Sequence, residues 1–456
     1  MHRAKTFLLL AVQLLAAVLS PAANSILWDA KNDTVSADVR GEALWPLLED
    51  IAHQTGWHIF VEPGLSQKAD VKFSQLNSGD ALKKLLGNLN FAYLPKTNEA
   101  NQLYVFATTM RAATTRINAA VTNKPALAKH VANELIVKVK PGTDIDALAK
   151  SLGAKVVGRN DKLGIYRLQF ADEAAMEAAL AQLKSNSAVT AVDYNYIYDT
   201  PPTPQALANA TGAAPKLTLD ATAPGDPCNP IIGLIDTAVQ PSGGALDQFM
   251  LPPVSVVSDA SANTSGISHG TAMYQTILNA VSQSSGGHTG VKILPVQVFG
   301  ASESGTTWNV ALGVQAAVDG GATVLNMSLG GAGDSAVLTD IIQQALAKGI
   351  VVFAAAGNTP VSTPTYPAAI SGVNSVTALS STGQLAAYAN YGSFSALALP
   401  GTSIVYQGGQ AWVVQGTSPA TAYATGVAVG TKSVNCAGWS EIESAMQQKF
   451  PVPQKN

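Results

Sequence analysis

Charge is scarce in this sequence. Asp, Glu, Lys and Arg make up 12% of 456 residues, with a formal net charge of −3. Arginine is absent from Ala221 to the C-terminus, where five Lys stand against ten Asp plus Glu, a balance of −5. Without a basic field to meet a phosphate backbone, nucleic acid is excluded as a partner. Long apolar runs are missing as well. None reaches the about 20 residues that a membrane-spanning helix needs, so no transmembrane segment is expected. Cysteine occurs only as Cys228 and Cys436. Neither lies near the N-terminus, which excludes a lipid anchor there.

What is present is a hydrophobic content of 47%, enough for well-cored globular domains in a chain long enough for two to four of them. Residues 1–25 carry a basic head (His2, Arg3, Lys5), an apolar run over residues 7–19 and then small residues. This three-part layout predicts a secretory signal peptide cut after Ala22, Ala23 or Ser25, and so an exported protein. Of 27 basic residues, 22 precede Ala221, and this shift in charge marks a domain boundary. Export would expose Cys228 and Cys436 to oxidising conditions. They bracket the C-terminal domain, so a disulfide joining its two ends is one reading and two buried thiols the other.

Residues 26–109 alternate strand and helix. Residues 35–39 alternate like a strand, Leu44, Leu47, Leu48 and Ile51 fall at helical spacing, Gly56 stops that helix, and residues 57–61 read as the next strand. The order repeats with a strand at 71–73, a helix at 78–89 capped by Ser78 or Asp80, and a hairpin through Tyr93 and residues 104–106. This pattern, with its Gln54-Thr55-Gly56 turn, resembles the short N-terminal domain of secretins and TonB-dependent outer-membrane receptors. The resemblance implies a periplasmic module that docks an envelope protein in a Gram-negative bacterium. His53 and His58 have no further ligand nearby and are expected to be a surface and a strand histidine.

Residues 110–130, rich in Ala, Thr and Asn, read as a linker. Residues 131–200 follow as strand, helix, strand, helix, strand, an α+β sandwich with helices on one face of an antiparallel sheet. A second linker, rich in Pro and Ala, runs over 201–224.

The domain at 225–450 holds the chemistry, ahead of a tail at 451–456. The apolar run 230–235 suits a buried parallel strand and ends in Asp236. Ser268-His269-Gly270-Thr271 opens a helix running to about residue 280; the only other histidine of this domain, His288, lies in a Ser/Gly-rich loop without a partner. Asn326-Met327-Ser328-Leu329-Gly330-Gly331 and Ala355-Ala356-Gly357-Asn358 each end a buried strand, and Gly416-Thr417-Ser418 opens a last helix. Strands alternating with helices predict a doubly wound, mostly parallel α/β sheet. Asp236, His269, Asn358 and Ser418 follow one another at spacings of 33, 89 and 60 residues.

This order and these motifs resemble the subtilisin-like serine proteases. The resemblance implies a subtilisin-like fold and a catalytic triad of Asp236, His269 and Ser418, with Asn358 as oxyanion donor. Ser328, Leu329 and Gly330 with Ala355, Ala356 and Gly357 then form the walls of the primary specificity pocket, small and uncharged, for an apolar or unselective P1 residue. In this setting residues 131–200 resemble a subtilisin propeptide, an intramolecular inhibitor and folding aid whose tail, residues 193–203, occupies the cleft; an ordinary interaction domain is the alternative. The chemistry requires no cofactor. The domain is compact for the family, which puts its usual calcium-binding loops in doubt; calcium stays possible without support from the sequence, and no metal-ligand set is assigned.

The chain departs from the family at Ala238, at Ala272-Met273-Tyr274, at Pro419 and at Tyr423, none of which removes a reacting group. The expectation is an exported, self-processed serine endopeptidase acting on protein or peptide. A silent scaffold with a protease-like body and an esterase using the same triad are the other readings, because fold does not settle substrate.

Overall fold

In the computed structural model the described residues are 25–29, 33–62, 65, 67–95, 101–117, 128–198, 201, 203–207, 219–221, 228, 230–258, 266–300 and 304–453. The expected signal peptide lies outside them except for Ser25, as do most of the second linker and the last residues of the tail. The chain divides into two compact units, residues 1–122 and 123–456.

The first unit runs β1 (Ser25–Asp29), β2 (Thr34–Ala43), α1 (Leu44–Thr55), β3 (His58–Val61), β4 (Lys68–Leu76), α2 (Ser78–Leu86), β5 (Asn90–Leu94), β6 (Gln102–Phe106) and β7 (Thr115–Ile117). Its sheets are ordered β1-β2-β4 and β5-β6-β3-β7. Leu44, Leu47, Leu48 and Ile51, one stripe of α1, are buried in their shared core. Helix α2 is capped by Asn77, not by Ser78 or Asp80: the Asn77 side chain is the acceptor and the Asp80 N–H is its donor, at 2.9 Å. The strand pattern also continues past residue 109. β7 pairs antiparallel with β3 and buries Ile117 in the same core, a strand hidden by the Ala/Thr-rich composition around it.

The second unit opens with β8 (His130–Val139), α3 (Ile145–Ser151), β9 (Lys155–Asn160), β10 (Ile165–Gln169), α4 (Glu173–Lys184) and β11 (Val189–Tyr198). Asp144 and Asp172 cap the two helices. β11, β8, β10 and β9 form an antiparallel sheet in that order. Leu135, Val137, Leu168 and Val192 pack on its helices, while Ile136 and Ile165 point the other way.

Then follow β12 (Gln205–Ala206), β13 (Asp220–Ala221), β14 (Ile231–Asp236), β15 (Val254–Ser255), α5 (His269–Ser284), β16 (His288–Thr289), β17 (Lys292–Gln297), β18 (Gly305–Thr306), α6 (Thr307–Asp319), β19 (Val324–Met327), α7 (Ala336–Ala347), β20 (Val351–Ala355), β21 (Asn374–Leu379), β22 (Leu397–Pro400), β23 (Thr402–Gln407), β24 (Gln410–Gln415), α8 (Thr417–Asn435) and α9 (Trp439–Lys449). Among the described residues a parallel sheet runs β15-β17-β14-β19-β20-β21-β22.

Side-chain alternation along these buried strands sorts the helices. Ile232, Leu234, Val324 and Phe353 pack with α5, α8 and α9, and Ile235, Leu325, Met327 and Val352 with α6 and α7. Ile136, Ile165 and Tyr198 join the second cluster, so the free face of the β11-β8-β10-β9 sheet lies on α6 and α7.

The chain leaves β14 toward β17 on one side and returns to β19 on the other. Ligands of such sheets bind at the carboxyl ends of the strands beside this reversal, and Asp236 is the last residue of β14. Cys436 ends α8 in a left-handed conformation, φ 50°. It is bonded to Cys228, with the two Cα atoms 4.9 Å apart.

Candidate active site

Asp236 and His269 reach each other from β14 and the first turn of α5. Ser268 caps that helix, accepting from the Thr271 N–H at 3.1 Å. His269 Nδ1 lies 2.8 and 3.0 Å from the two carboxylate oxygens of Asp236. Asp236 is wholly buried and His269 is 3% exposed. One carboxylate oxygen also accepts the Thr237 N–H at 2.7 Å. Two oxygens on one ring nitrogen require a hydrogen on Nδ1. The neutral ring therefore presents Nε2 as an acceptor. That buried Nε2 has no protein hydrogen-bond partner.

Ser418 arrives on the first turn of α8 and is 3% exposed. Its hydroxyl donates to the Ser328 carbonyl at 3.2 Å. α8 packs closely on α5 because Gly426 has no side chain: a Cβ there would fall 2.5 Å from the Ile277 carbonyl oxygen. Gly416, at φ 148°, makes the turn into α8, and a Cβ there would lie 3.1 Å from Asn358 Nδ2. Asn358 Oδ1 accepts from the Thr417 N–H at 2.8 Å and the Thr417 hydroxyl at 3.2 Å. Its amide nitrogen is thereby the end left for a ligand. Pro419 has no N–H, so of the three successive groups at this helix start only Thr417 and Ser418 offer backbone donors, and Thr417 has spent its own on Asn358.

The two expected pocket walls run side by side. A Cβ on Gly330 would meet the Ala355 carbonyl oxygen at 3.5 Å. Ser328, Leu329, Ala355 and Ala356 are buried, and the Gly357 N–H donates to the Thr417 hydroxyl at 3.0 Å. Beyond this wall lies β11. Tyr198 pairs with Gly305 of β18, and its ring covers Gly331, 3.2 Å from where a Cβ would stand. β12 then pairs antiparallel with β24, the strand leading into Gly416. Pro201 and Pro204, between those two anchor points, are buried.

Two helix starts are capped from β11. Asn195 Oδ1 accepts the Trp308 N–H of α6 at 3.1 Å, while its amide donates to Glu134 at 3.0 Å. One Asp193 oxygen accepts from the N–H groups of Ala336 and Val337 in α7 at 2.5 and 3.3 Å. Burial nevertheless raises the Asp193 carboxyl to about 6; the two donors lower it, nearby Asp334 raises it and Lys184 lowers it.

Sequence reasoning passed over Asp193, Asn195 and Thr417, although Thr417 stood inside the quoted Gly-Thr-Ser motif. His288, expected to be unpartnered, has Nδ1 3.8 Å from Asp220 Oδ2. β13 and β16 pair in parallel and bring the two together. Both are exposed, which makes this a weak surface pair. Among the described residues no group of three or more His, Cys, Asp and Glu could hold a metal ion, and no helix is long and apolar enough to cross a membrane.

Residues 228–449 match the subtilase family, and residues 116–195 match the fervidolysin N-terminal prodomain. Subtilisin DY of Bacillus licheniformis is 34% identical over 205 residues, 43% of this chain and 74% of that protein. Thermitase of Thermoactinomyces vulgaris is 35% identical over 203 residues, 43% of this chain and 72% of that protein. The crystal structure of fervidolysin from Fervidobacterium pennivorans, a keratinolytic enzyme, superposes with a TM-score of 0.56 at 20% identity. That alignment covers 69% of this chain and 57% of fervidolysin and shows a likeness in fold. The chain belongs to the subtilase family and is a subtilisin-like serine endopeptidase that carries a prodomain ahead of its catalytic domain.

Proposed function

We propose that the chain is an exported endopeptidase that cuts peptide bonds through an acyl-enzyme on Ser418 and is made as a self-processed precursor. The observation that carries this reading is the Asp236–His269 pair, whose imidazole keeps Nε2 unpartnered; the Ser418 hydroxyl, which rests on the Ser328 carbonyl at 3.2 Å, has to turn from it to give its proton to that nitrogen.

His269 Nε2 takes the Ser418 proton as Oγ attacks the carbonyl carbon of the scissile bond. Asp236 holds the ring in its Nδ1–H tautomer and stabilises the imidazolium. The oxyanion is met by the Ser418 N–H and the Asn358 amide. His269 then protonates the departing nitrogen, and water, deprotonated by the same ring, releases the acyl group. Ser328, Leu329 and Gly330 with Ala355, Ala356 and Gly357 line the P1 site, whose small uncharged walls suit apolar side chains. Residues 131–200 act as intramolecular inhibitor, supported by β11 and Tyr198 beside the Ser328–Gly330 wall. Residues 26–109 act as a docking module for an envelope protein, with the protein in the periplasm or outside a Gram-negative cell. The strand–helix order of that module supports this part.

The test is to express the chain with and without Ser418→Ala, then examine gel mobility, intact mass and labelling by a fluorophosphonate. Labelling and fragment release that both vanish in Ser418→Ala support the reading. An intact wild type that the probe leaves unlabelled sinks it in favour of a silent scaffold. Deleting residues 26–109 tests the docking role, which unchanged localisation and processing would refute.

A further inference from the structure

Behind Ser418 and the Ser328 wall runs a line of buried polar side chains, two of which, Asn326 and Thr425, have no part in the steps proposed above. Asn326, on β19, is wholly buried. Its Oδ1 lies 2.9 Å from the Thr425 hydroxyl, and its Nδ2 donates to Ser328 Oγ at 3.0 Å. Ser328 Oγ in turn donates to the Ser418 carbonyl at 3.1 Å, while the Ser418 hydroxyl donates back to the Ser328 carbonyl. The nucleophile and Ser328 are thus tied twice, in opposite directions.

Such groups cost free energy to bury. Apolar neighbours on the same side of the sheet, Val324, Phe353, Ala424 and Val427, are all buried in the α8-side core. A polar line at this place needs a return, and its hydrogen-bond logic suggests one. A serine hydroxyl has a single proton and rotates freely. By accepting from Asn326 Nδ2, Ser328 Oγ is left to spend that proton on the Ser418 carbonyl. Were the Asn326 amide turned over, its Oδ1 would take the Ser328 proton and the bond to Ser418 would be lost. An amide can turn over with almost no change in shape, so a donor has to hold Oδ1 in place. The Thr425 hydroxyl, two turns along α8 from Ser418, is placed to do so: its one proton lies between Asn326 Oδ1 at 2.9 Å and the Thr421 carbonyl at 3.0 Å, and given to Oδ1 it holds the amide in this orientation.

We propose that Asn326 and Thr425 are positioning residues for catalysis, acting through Ser328 to fix the backbone of Ser418. That backbone carries both the attacking oxygen and the N–H that meets the oxyanion. The proposal rests on the reading of Ser418 as nucleophile, and the experiment separates the two.

The test compares the full chain with Thr425→Val, Thr425→Ser, Ser328→Ala and the Thr425→Val/Ser328→Ala double variant. The readouts are the rate of phosphonylation by a fluorophosphonate, kcat and KM on a peptide p-nitroanilide with Phe at P1, and thermal unfolding. Losing one neutral hydrogen bond corresponds to a fall of about three- to tenfold. Thr425→Val is expected to lose that much in kcat and phosphonylation at unchanged KM, and Thr425→Ser to keep wild-type values. On the Ser328→Ala background Thr425→Val should cost nothing further, since coupled residues are not additive. Should Thr425→Val fail to fold, Thr425→Ala removes the same hydroxyl without adding a methyl group to a polar seat.

Wild-type phosphonylation in the Val or Ala variant, a full additional loss on the Ser328→Ala background, or an equally impaired Thr425→Ser would each overturn the relay. A wild type that the probe does not label overturns the nucleophile assignment, and the relay with it.

Discussion

Asn358 and Thr417 are joined twice, with the backbone N–H and the hydroxyl of Thr417 both donating to Asn358 Oδ1. The pairing turns the amide nitrogen of Asn358 away from Thr417. Asn358→Leu, which keeps the volume and removes the donor, should lower kcat about 10²- to 10³-fold with little change in KM; the magnitude is the one known for the corresponding donor in subtilisin. Thr417→Val should lose less, because the backbone N–H still orients Asn358. Steady-state kinetics on one peptide decide both, and an unchanged kcat in Asn358→Leu would remove it from the oxyanion site.

Asp236 spends both oxygens on His269 Nδ1, so an amide there would present a donor to a ring that has to donate. Asp236→Asn is expected to cost about 10⁴-fold in kcat by favouring the wrong tautomer. The pH–rate profile reads it, since activity should return in part at alkaline pH. A loss below tenfold would contradict the role.

Self-processing is expected to spare the bonds that precede Pro201, Pro202 and Pro204. The bonds preceding Pro201, Pro202 and Pro204 lack an N–H on the leaving side and carry a ring in its place. Intact mass and N-terminal sequencing of the matured chain locate the cut, and a start at Pro201, Pro202 or Pro204 would refute the expectation.

Asp193 makes the hold of β11 on α7 depend on pH. Its carboxyl sits at about 6 in the folded chain, raised chiefly by burial from an ordinary 3.8. A raised carboxyl takes up a proton on folding. Its contribution is therefore full below about 3.8 and lost as pH rises through about 6. Separately purified prodomain should thus inhibit the matured enzyme more tightly at pH 5 than at pH 7, and Asp193→Asn should flatten this difference. An inhibition constant that does not move with pH in the wild type would count against the assignment.

The Cys228–Cys436 bond closes a loop with a sequence separation of 208. In the chain-entropy description, cross-linking so long a loop contributes about 5 kcal/mol, a model-dependent figure. Reduction, or Cys436→Ser, should lower the unfolding temperature markedly without changing kcat on a short peptide. Two titratable thiols in the denatured, unreduced protein would show that no bond forms.

The parallel sheet was readable because buried strands leave continuous apolar runs. Residues 231–236 and 351–355 announce themselves, and each runs to a polar residue at or just beyond its carboxyl end. Asp236, His269 and Ser418 could be picked out because short motifs surround them. Other features were hidden by partners remote in sequence. Thr425 and Asn326 stand 99 residues apart, and neither looks unusual in a strand or a helix. β7 was hidden by composition, since Ile117 is its sole large apolar residue. The Asn77 cap was missed by one position, where Ser78 and Asp80 are equally good capping types. Asp193 and Asn195 alternate along β11 as any polar strand residues would, and only the sheet's placement on α6 and α7 gives them helix starts to meet.

The bare contact at Gly426 also bears on what the chain can tolerate. The histidine and the serine ride on separate rods, α5 and α8, that meet at Gly426 against the Ile277 carbonyl and the Ala280 methyl group, neither of which can turn aside to absorb a change. A single methyl group at residue 426 would act as a wedge, and its thickness would be carried along both rods to their tips, where base and nucleophile must come within bonding reach. If His269 and Ser418 act as proposed, activity is sensitive to volume at a position two turns removed from either of them.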